Sequence, residues 1–220
     1  MKNINKISIT LILLVLVSCI FLYVITNKAS PENESSNTAT IAPIIKEKSK
    51  PKLSPEETEK VIKAVAQEVT SALFTADMEK LHTYIHPEKG VRFSQYGIVD
   101  LDSDLVFDAS QIKNFFNDET IYNWGVYDGS GEPIERTPKE YFDRFINIGD
   151  FSKAKIGYNE ILTDNGYPEN QFQVYKDAII VEYYFPGIKY QQDWKSLRIV
   201  FDLFKGNYYI IGIISNEWTI

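Results

Sequence analysis

Three apolar runs near the carboxyl end constrain the fold more tightly than any other part of the chain. Residues 178–185, 196–204 and 207–215 are each rich in Ile, Val, Tyr and Phe, and Pro186-Gly187 and Lys205-Gly206-Asn207 bound them. Branched and aromatic side chains suit a pleated, half-buried surface, and Gly, Pro and Asn supply turns, so the runs predict consecutive antiparallel strands. Successive side chains of a strand point to opposite faces. Leu197, Ile199, Phe201 and Leu203 therefore make one wholly apolar face, while Arg198 and Asp202 share the other with Val200 and Phe204. In the first run, Glu182 shares a face with Ile180 and Tyr184.

Helices must cover such a meander, and the preceding segment supplies them. Ser54-Pro55-Glu56-Glu57 places a cap residue, a proline at the first helical position and acids in the first turn. Val61, Val65, Val69 and Leu73 then recur every four residues, joined by Ile62, Ala66 and Ala72, which predicts an amphipathic helix to about Phe74. Asp77 caps a second helix carrying Met78, Leu81 and Ile85, and Pro87 ends it near His86. Beyond it, 91–96 and 105–107 read as strands and 109–117 as a helix capped by Asp108. Residues 122–128 are extended and end in the turn Asp128-Gly129-Ser130-Gly131, and Thr137-Pro138 opens a helix to about Asn147. Residues 151–158 and 171–175 complete the strands. The sum over 54–220 is an α+β domain, a curved antiparallel sheet packed on amino-terminal helices.

The amino end carries other signals. Lys2 and Lys6 precede an apolar run over 7–26, long enough to span a bilayer, and the lysines place the remainder outside the cytoplasm. Leu16-Val17-Ser18-Cys19 resembles the lipobox of bacterial lipoproteins, in which the cysteine takes the lipid. Segment 1–26 is thus expected to be either a membrane helix or a lipoprotein signal with Cys19 lipidated. Both tether the domain to the cytoplasmic membrane on its extracytoplasmic side. Segment 27–53, rich in Ser, Thr, Asn, Pro, Lys and Glu, is expected to be a flexible linker.

The order of elements is similar to that of NTF2-like (SnoaL-like) domains, with a cystatin-like sheet-on-helix domain as the near neighbour. Three stretches also look like patterns in uncharacterised bacterial envelope lipoproteins: His86-Pro87-Glu88-Lys89-Gly90-Val91-Arg92-Phe93-Ser94, Trp124-Gly125-Val126-Tyr127-Asp128-Gly129-Ser130-Gly131 and Glu217-Trp218-Thr219-Ile220. The resemblance implies a sheet wrapped around the long helix with a cone-shaped cavity beneath it. It brings no chemistry with it.

A net charge of −7 argues against nucleic acid, whose binding rests on Lys and Arg at the phosphates. Cys19 is the sole cysteine, so no disulfide forms within the chain. His82 and His86 have the spacing of a two-histidine metal pair, but no further ligand completes a site, and no metal or cofactor is expected; hydrogen bonding of His86 to the last helix carbonyls is the plainer role. Glu182, Arg198 and Asp202 either line the cavity or form the wet face of a half-exposed sheet, and the apolar opposite face favours the wet one. In the first case Glu182 or Asp202 is a general base with Tyr184 and His86 beside it. Arg92, Tyr96, Trp124, Trp194, Arg198 and Trp218 are the candidate ligand contacts. With no nucleophile–base pair in the sequence, the leading expectation is a non-catalytic binding module for a small apolar ligand, a peptide or an envelope protein. A cavity enzyme and a homodimerising domain are the alternatives.

Overall fold

The long amino-terminal helix begins where its cap residues place it. In a computed structural model, which describes residues 53–163, 169–187 and 193–218, helix α1 spans Pro55–Phe74. Ser54 Oγ accepts the Glu57 amide, and the Glu57 carboxylate accepts the Ser54 amide at 3.0 Å, so two free N–H groups are satisfied at once. The buried stripe is Ile62, Ala66, Val69 and Leu73, whereas Val61 is exposed and Val65 half-buried. The reason is geometric. A strict four-residue row advances about 40° per step on a helix of 3.6 residues per turn, and so cannot stay on one face.

The expected anchor over 1–26, with Cys19, and all of the linker except Leu53 lie outside the described residues. Among the described residues no helix is long and apolar enough to cross a membrane.

After α1 come helix α2 (Met78–Leu81), a 3₁₀ turn (His82–Tyr84) and strands β1 (Val91–Gln95) and β2 (Val106–Phe107). Helix α3 (Ala109–Lys113), strands β3 (Tyr122–Val126) and β4 (Pro133–Arg136) and helix α4 (Pro138–Tyr141) follow; α4 continues into a π-helical turn (Phe142–Ile146). Strand β5 (Lys155–Tyr158), helix α5 (Gln171–Val174) and strands β6 (Ile179–Phe185), β7 (Lys195–Phe204) and β8 (Asn207–Glu217) close the chain. One sheet has the order β2-β1-β8-β7-β6-β5, and β3–β4 is a separate hairpin.

The architecture is mixed α+β with an antiparallel-rich sheet and few helices. The carboxyl-terminal meander forms in register, with Glu182 opposite Arg198 and Leu197 opposite Ser215. Three expectations change. Strand β1 runs parallel to β8, with Arg92 opposite Gly212, so the sheet is not wholly antiparallel. Residues 151–158 divide into a 3₁₀ turn (Phe151–Lys153), set by Asp150 accepting the Ser152 amide, and β5. Residues 171–175 are not a strand but a helical turn, Gln171–Val174, which with Tyr175 packs Phe172, Val174 and the tyrosine ring against Ile180, Val200 and Ile214.

Under α1 lies one continuous core. Leu197, Ile199, Phe201 and Ile213 belong to it together with Ile62, Val69 and Leu73, as does an aromatic group of Phe93, Phe107, Phe115, Trp124 and Tyr141. Trp124 stacks on Tyr141 at 3.8 Å and donates to the Arg136 carbonyl at 2.9 Å. Gln95 ties the hairpin to the sheet: its amide donates to the Trp124 carbonyl and its oxygen accepts the Tyr141 hydroxyl at 3.1 Å. Position 125 must be glycine here, since a Cβ would lie 2.2 Å from Gln95 Nε2 and φ is +119°. Where a hollow was expected beneath the helix, side chains pack.

Ile62→Ala should lower the unfolding free energy by about 2–5 kcal/mol. Val61→Ala, one residue away, should change it by less than about 0.5 kcal/mol. Urea denaturation of both variants checks the position of the stripe.

Candidate functional site

The face of the sheet turned away from α1 carries a second, smaller core of Val99, Ile180, Val200 and Ile214. Phe172, Val174, Tyr175 and Ala178 cover it. Asn170 pins this cover by exchanging two hydrogen bonds of 2.8 Å with the Val99 backbone. Gly212 lets it approach: a Cβ there would lie 2.9 Å from the Tyr175 hydroxyl.

Glu182 and Arg198 sit on this face, 0% and 1% exposed. They are neither a wet surface nor the lining of a hollow under α1. Arg198 Nη2 donates to Glu182 at 3.0 Å, Glu169 at 2.8 Å and the Thr163 hydroxyl at 2.6 Å, and its Nε donates to Glu182 at 3.1 Å. Glu182 also accepts the Leu162 amide and the Ser196 hydroxyl. The apolar face of β7 does seek the core, as its pattern predicts. Exposure of the other face fails because the 159–178 region, in its described residues, folds over it and brings partners for both charges. Removing one partner of a buried pair strands the other. Arg198→Met should therefore cost about 3–5 kcal/mol of stability, read by urea denaturation.

The described residues line at least two open cavities. The first is a groove of about 680 Å³ on the covered face, between β1, β2 and β8 and the α5–β6 connection. Leu101, Val106, Val174, Ala178 and Ile211 give it apolar walls, and Lys89, Arg92, Lys176, Asp177 and Asp202 carry its charges. Arg92 Nη1 donates to the carbonyls of Asp100, Leu101 and Asp104 at 3.1, 3.4 and 3.0 Å and so fixes the loop that forms one wall. Beside it, the Asp104 carboxylate accepts the Ser94 hydroxyl and the Asp100 amide, and burial pushes its pKa up. Tyr175 lines the groove with a buried hydroxyl that has no hydrogen-bond partner among the described residues, and burial pushes this phenol up to about 12.

At one end of the groove, Asp202 meets His86 and Lys89. His86 Nδ1 accepts the amides of Glu88 and Lys89 at 3.1 and 3.0 Å, so the neutral ring carries its proton on Nε2, 3.6 Å from Asp202 Oδ2. The Lys89 ammonium pairs with the same carboxylate. His86 thus caps the turn before β1 as an acceptor, in place of the expected bond to helix carbonyls, because the helix has already ended at Leu81. Its ring is 1% exposed, packed against Phe204 at 4.8 Å and Tyr209 at 6.0 Å. Burial, and then Lys89, lower its pKa from 6.5 despite Asp202. As the pH falls below 6.5, the unfolded chain takes up this proton first. The contribution of His86 to stability is therefore complete above about pH 6.5 and lost as the pH falls through the folded value. His86→Asn, which keeps an acceptor for the two amides, should flatten the stability profile below about pH 6.5, measured by urea denaturation at a series of pH values.

The second cavity, about 460 Å³, opens at the ends of β1 and β8. Tyr96, Tyr127, Arg144, Glu217 and Trp218 line it with the Asp128-Gly129-Ser130 turn. The π-turn after α4 presents Arg144, whose guanidinium lies 4.6 Å over the Phe145 ring and meets the Glu217 carboxylate with both Nη atoms. Tyr96 has φ of +60°, a left-handed conformation that costs a non-glycine residue of order 1–3 kcal/mol and gathers at functional sites. Burial first, then Glu217, pushes its phenol up to about 12. The Tyr127 oxygen accepts Arg136 Nη2 at 2.9 Å.

The sequence candidates therefore separate. Arg92 and Asp202 line the groove, and Tyr96 and Trp218 line the second cavity. Trp124 is core, Arg198 and Glu182 are sealed, and Trp194 plugs a strand end, where its carbonyl accepts the Trp218 amide at 3.1 Å and Tyr184 lies 6.4 Å away. His82 faces Glu79 at 3.9 Å, and among the described residues no three His, Cys, Asp or Glu side chains gather as a metal site. Glu169, Asp104, Tyr127 and the Arg144–Glu217 pair escaped sequence reasoning, because no periodic pattern or spacing links residues 73 positions apart.

No family model matches the chain, and no curated protein matches it. A crystal structure from Xanthomonas campestris, described as a calcium/calmodulin dependent protein kinase II association domain, matches with 14% identity and a TM-score of 0.32, over 72% of this chain and 86% of that one. At that overlap and identity the match assigns no activity.

Proposed function

We propose that the domain is an NTF2-like binding module, held outside the cytoplasmic membrane by its first 26 residues, whose ligand seats in the groove on the covered face of the sheet. The NTF2-like reading is supported by the long capped helix lying on one side of the carboxyl-terminal meander. The tether reading is supported by the apolar run after Lys2 and Lys6. The observation that carries the ligand reading is the lining of the groove: apolar side chains interspersed with charged ones, a make-up suited to a small-molecule site. Three cations, Lys89, Arg92 and Lys176, face two acids, Asp177 and Asp202. An apolar ligand or short peptide ending in a carboxylate fits that balance.

The general-base alternative narrows to Asp202, because Glu182 lines neither cavity. Lys89 already pairs with Asp202, and among the described residues the groove lining joins no hydroxyl or thiol to a base. Binding accounts for the groove with fewer demands.

The compact unit Ser49–Ile220 can be tested by thermal shift against myristate and against an aliphatic peptide with a free carboxyl end. A ligand at about 100 times its Kd should stabilise by about 2.7 kcal/mol, a shift of several degrees. Ala178→Trp, which fills the groove, should abolish the shift, and Val106→Asp should weaken it. No shift with either probe, or a shift indifferent to both substitutions, contradicts the proposal.

A further inference from the structure

Two irregularities of the backbone converge on the second cavity. Tyr96 turns left-handed at the end of β1, and the α4 helix widens into its π-turn. Together they bring Tyr96 edge-on to Phe145 at 6.2 Å and lay Arg144 over the same ring. π-turns and left-handed non-glycine residues both gather at functional sites, and here one pocket uses both.

The lining is specific in kind. Three aromatic residues, Tyr96, Tyr127 and Trp218, share the cavity with one ion pair. Arg144 and Glu217 neutralise each other through two hydrogen bonds, and the further charge in the lining, the Asp128 carboxylate, accepts the Gly129 amide at 3.0 Å, so the described lining offers an anion no unpaired cation. What remains are flat apolar rings, phenol hydroxyls, and the outer edges of a guanidinium and a carboxylate, which are planar groups able to bond neighbouring hydroxyls. A ligand matching this set has an apolar C–H face, a rim of hydroxyls and no negative charge.

We propose that this cavity is a carbohydrate site that takes one pyranose ring of a neutral oligosaccharide, stacked on Trp218 and hydrogen-bonded by Arg144, Glu217 and Tyr96. It is separate from the groove and does not depend on what the groove binds. Its volume of about 460 Å³ lies in the range of small-ligand pockets. It is open on one side, as a site for one ring within a longer chain must be.

The full chain, reconstituted in lipid nanodiscs, is titrated with cellohexaose and with hexa-N-acetylchitohexaose, and tryptophan emission is followed. Trp124 and Trp194 are buried outside the cavity, so Trp218 is the reporter there. At least one sugar should give a saturable change, confirmed by calorimetry. Trp218→Ala should weaken calorimetric binding at least tenfold. Ser130→Trp, an addition at an exposed turn that the core does not use, should fill the cavity and do the same with an unchanged unfolding midpoint. Ala178→Trp in the groove should leave sugar binding intact. The proposal is overturned if neither sugar saturates below about 10 mM, or if binding survives both cavity substitutions. Binding of a sulfated oligosaccharide in preference to the neutral ones overturns it too.

Discussion

The guanidinium of Arg198 decides what the outer side of the sheet can be. A charge on a central strand is ordinarily a solvated one. Here it is sealed, and desolvating ions costs several kcal/mol each unless hydrogen bonds compensate. The compensation comes from three residues: Glu182 across the strand pair, and Thr163 and Glu169 from the chain that leads into the cover. Ser196 and the Leu162 amide complete the acceptor side. The cover stays because the ions require it, and the ions stay buried because the cover is there. Val99, Ile180, Val200 and Ile214 then gain a roof, and the sheet has apolar packing on both sides.

The groove follows from that roof. Its floor is the strip of the same face that α5 and the following turn leave open, and its walls are that turn and the loop that Arg92 holds through three carbonyls. Lys89 and Asp202 line one end of it, beside the turn in which the His86 imidazole serves as acceptor for two amides. The second cavity has a different origin. It sits at the strand ends and depends on the π-turn and on left-handed Tyr96, so the two openings can hold different chemistry.

Local signals were legible in the sequence and distant ones were not. The three carboxyl-terminal strands and the capped helix follow from alternation, turn residues and the Ser54–Glu57 capping box, all set within a few neighbours. The valine row misled because its period is four and the helix has 3.6 residues per turn. Residues 171–175 alternate no better than they coil, and only the sheet beneath them selects the helical turn. The pairing of Glu182 with Arg198 was legible as a shared face, but not as a buried site, since Glu169 arrives from a segment without pattern. Arg144 and Glu217 meet only once the whole sheet has formed.

Hydrogen exchange tests the sealed network most directly. The amides of Leu162 and Val99 belong to no strand; side chains of Glu182 and Asn170 hold them. If the cover is fixed on the sheet as described, both should exchange nearly as slowly as the central amides of β6 and β7. Exchange of either at the rate of an unstructured peptide would mean that the cover opens freely, and that Arg198 and Glu182 are solvated after all.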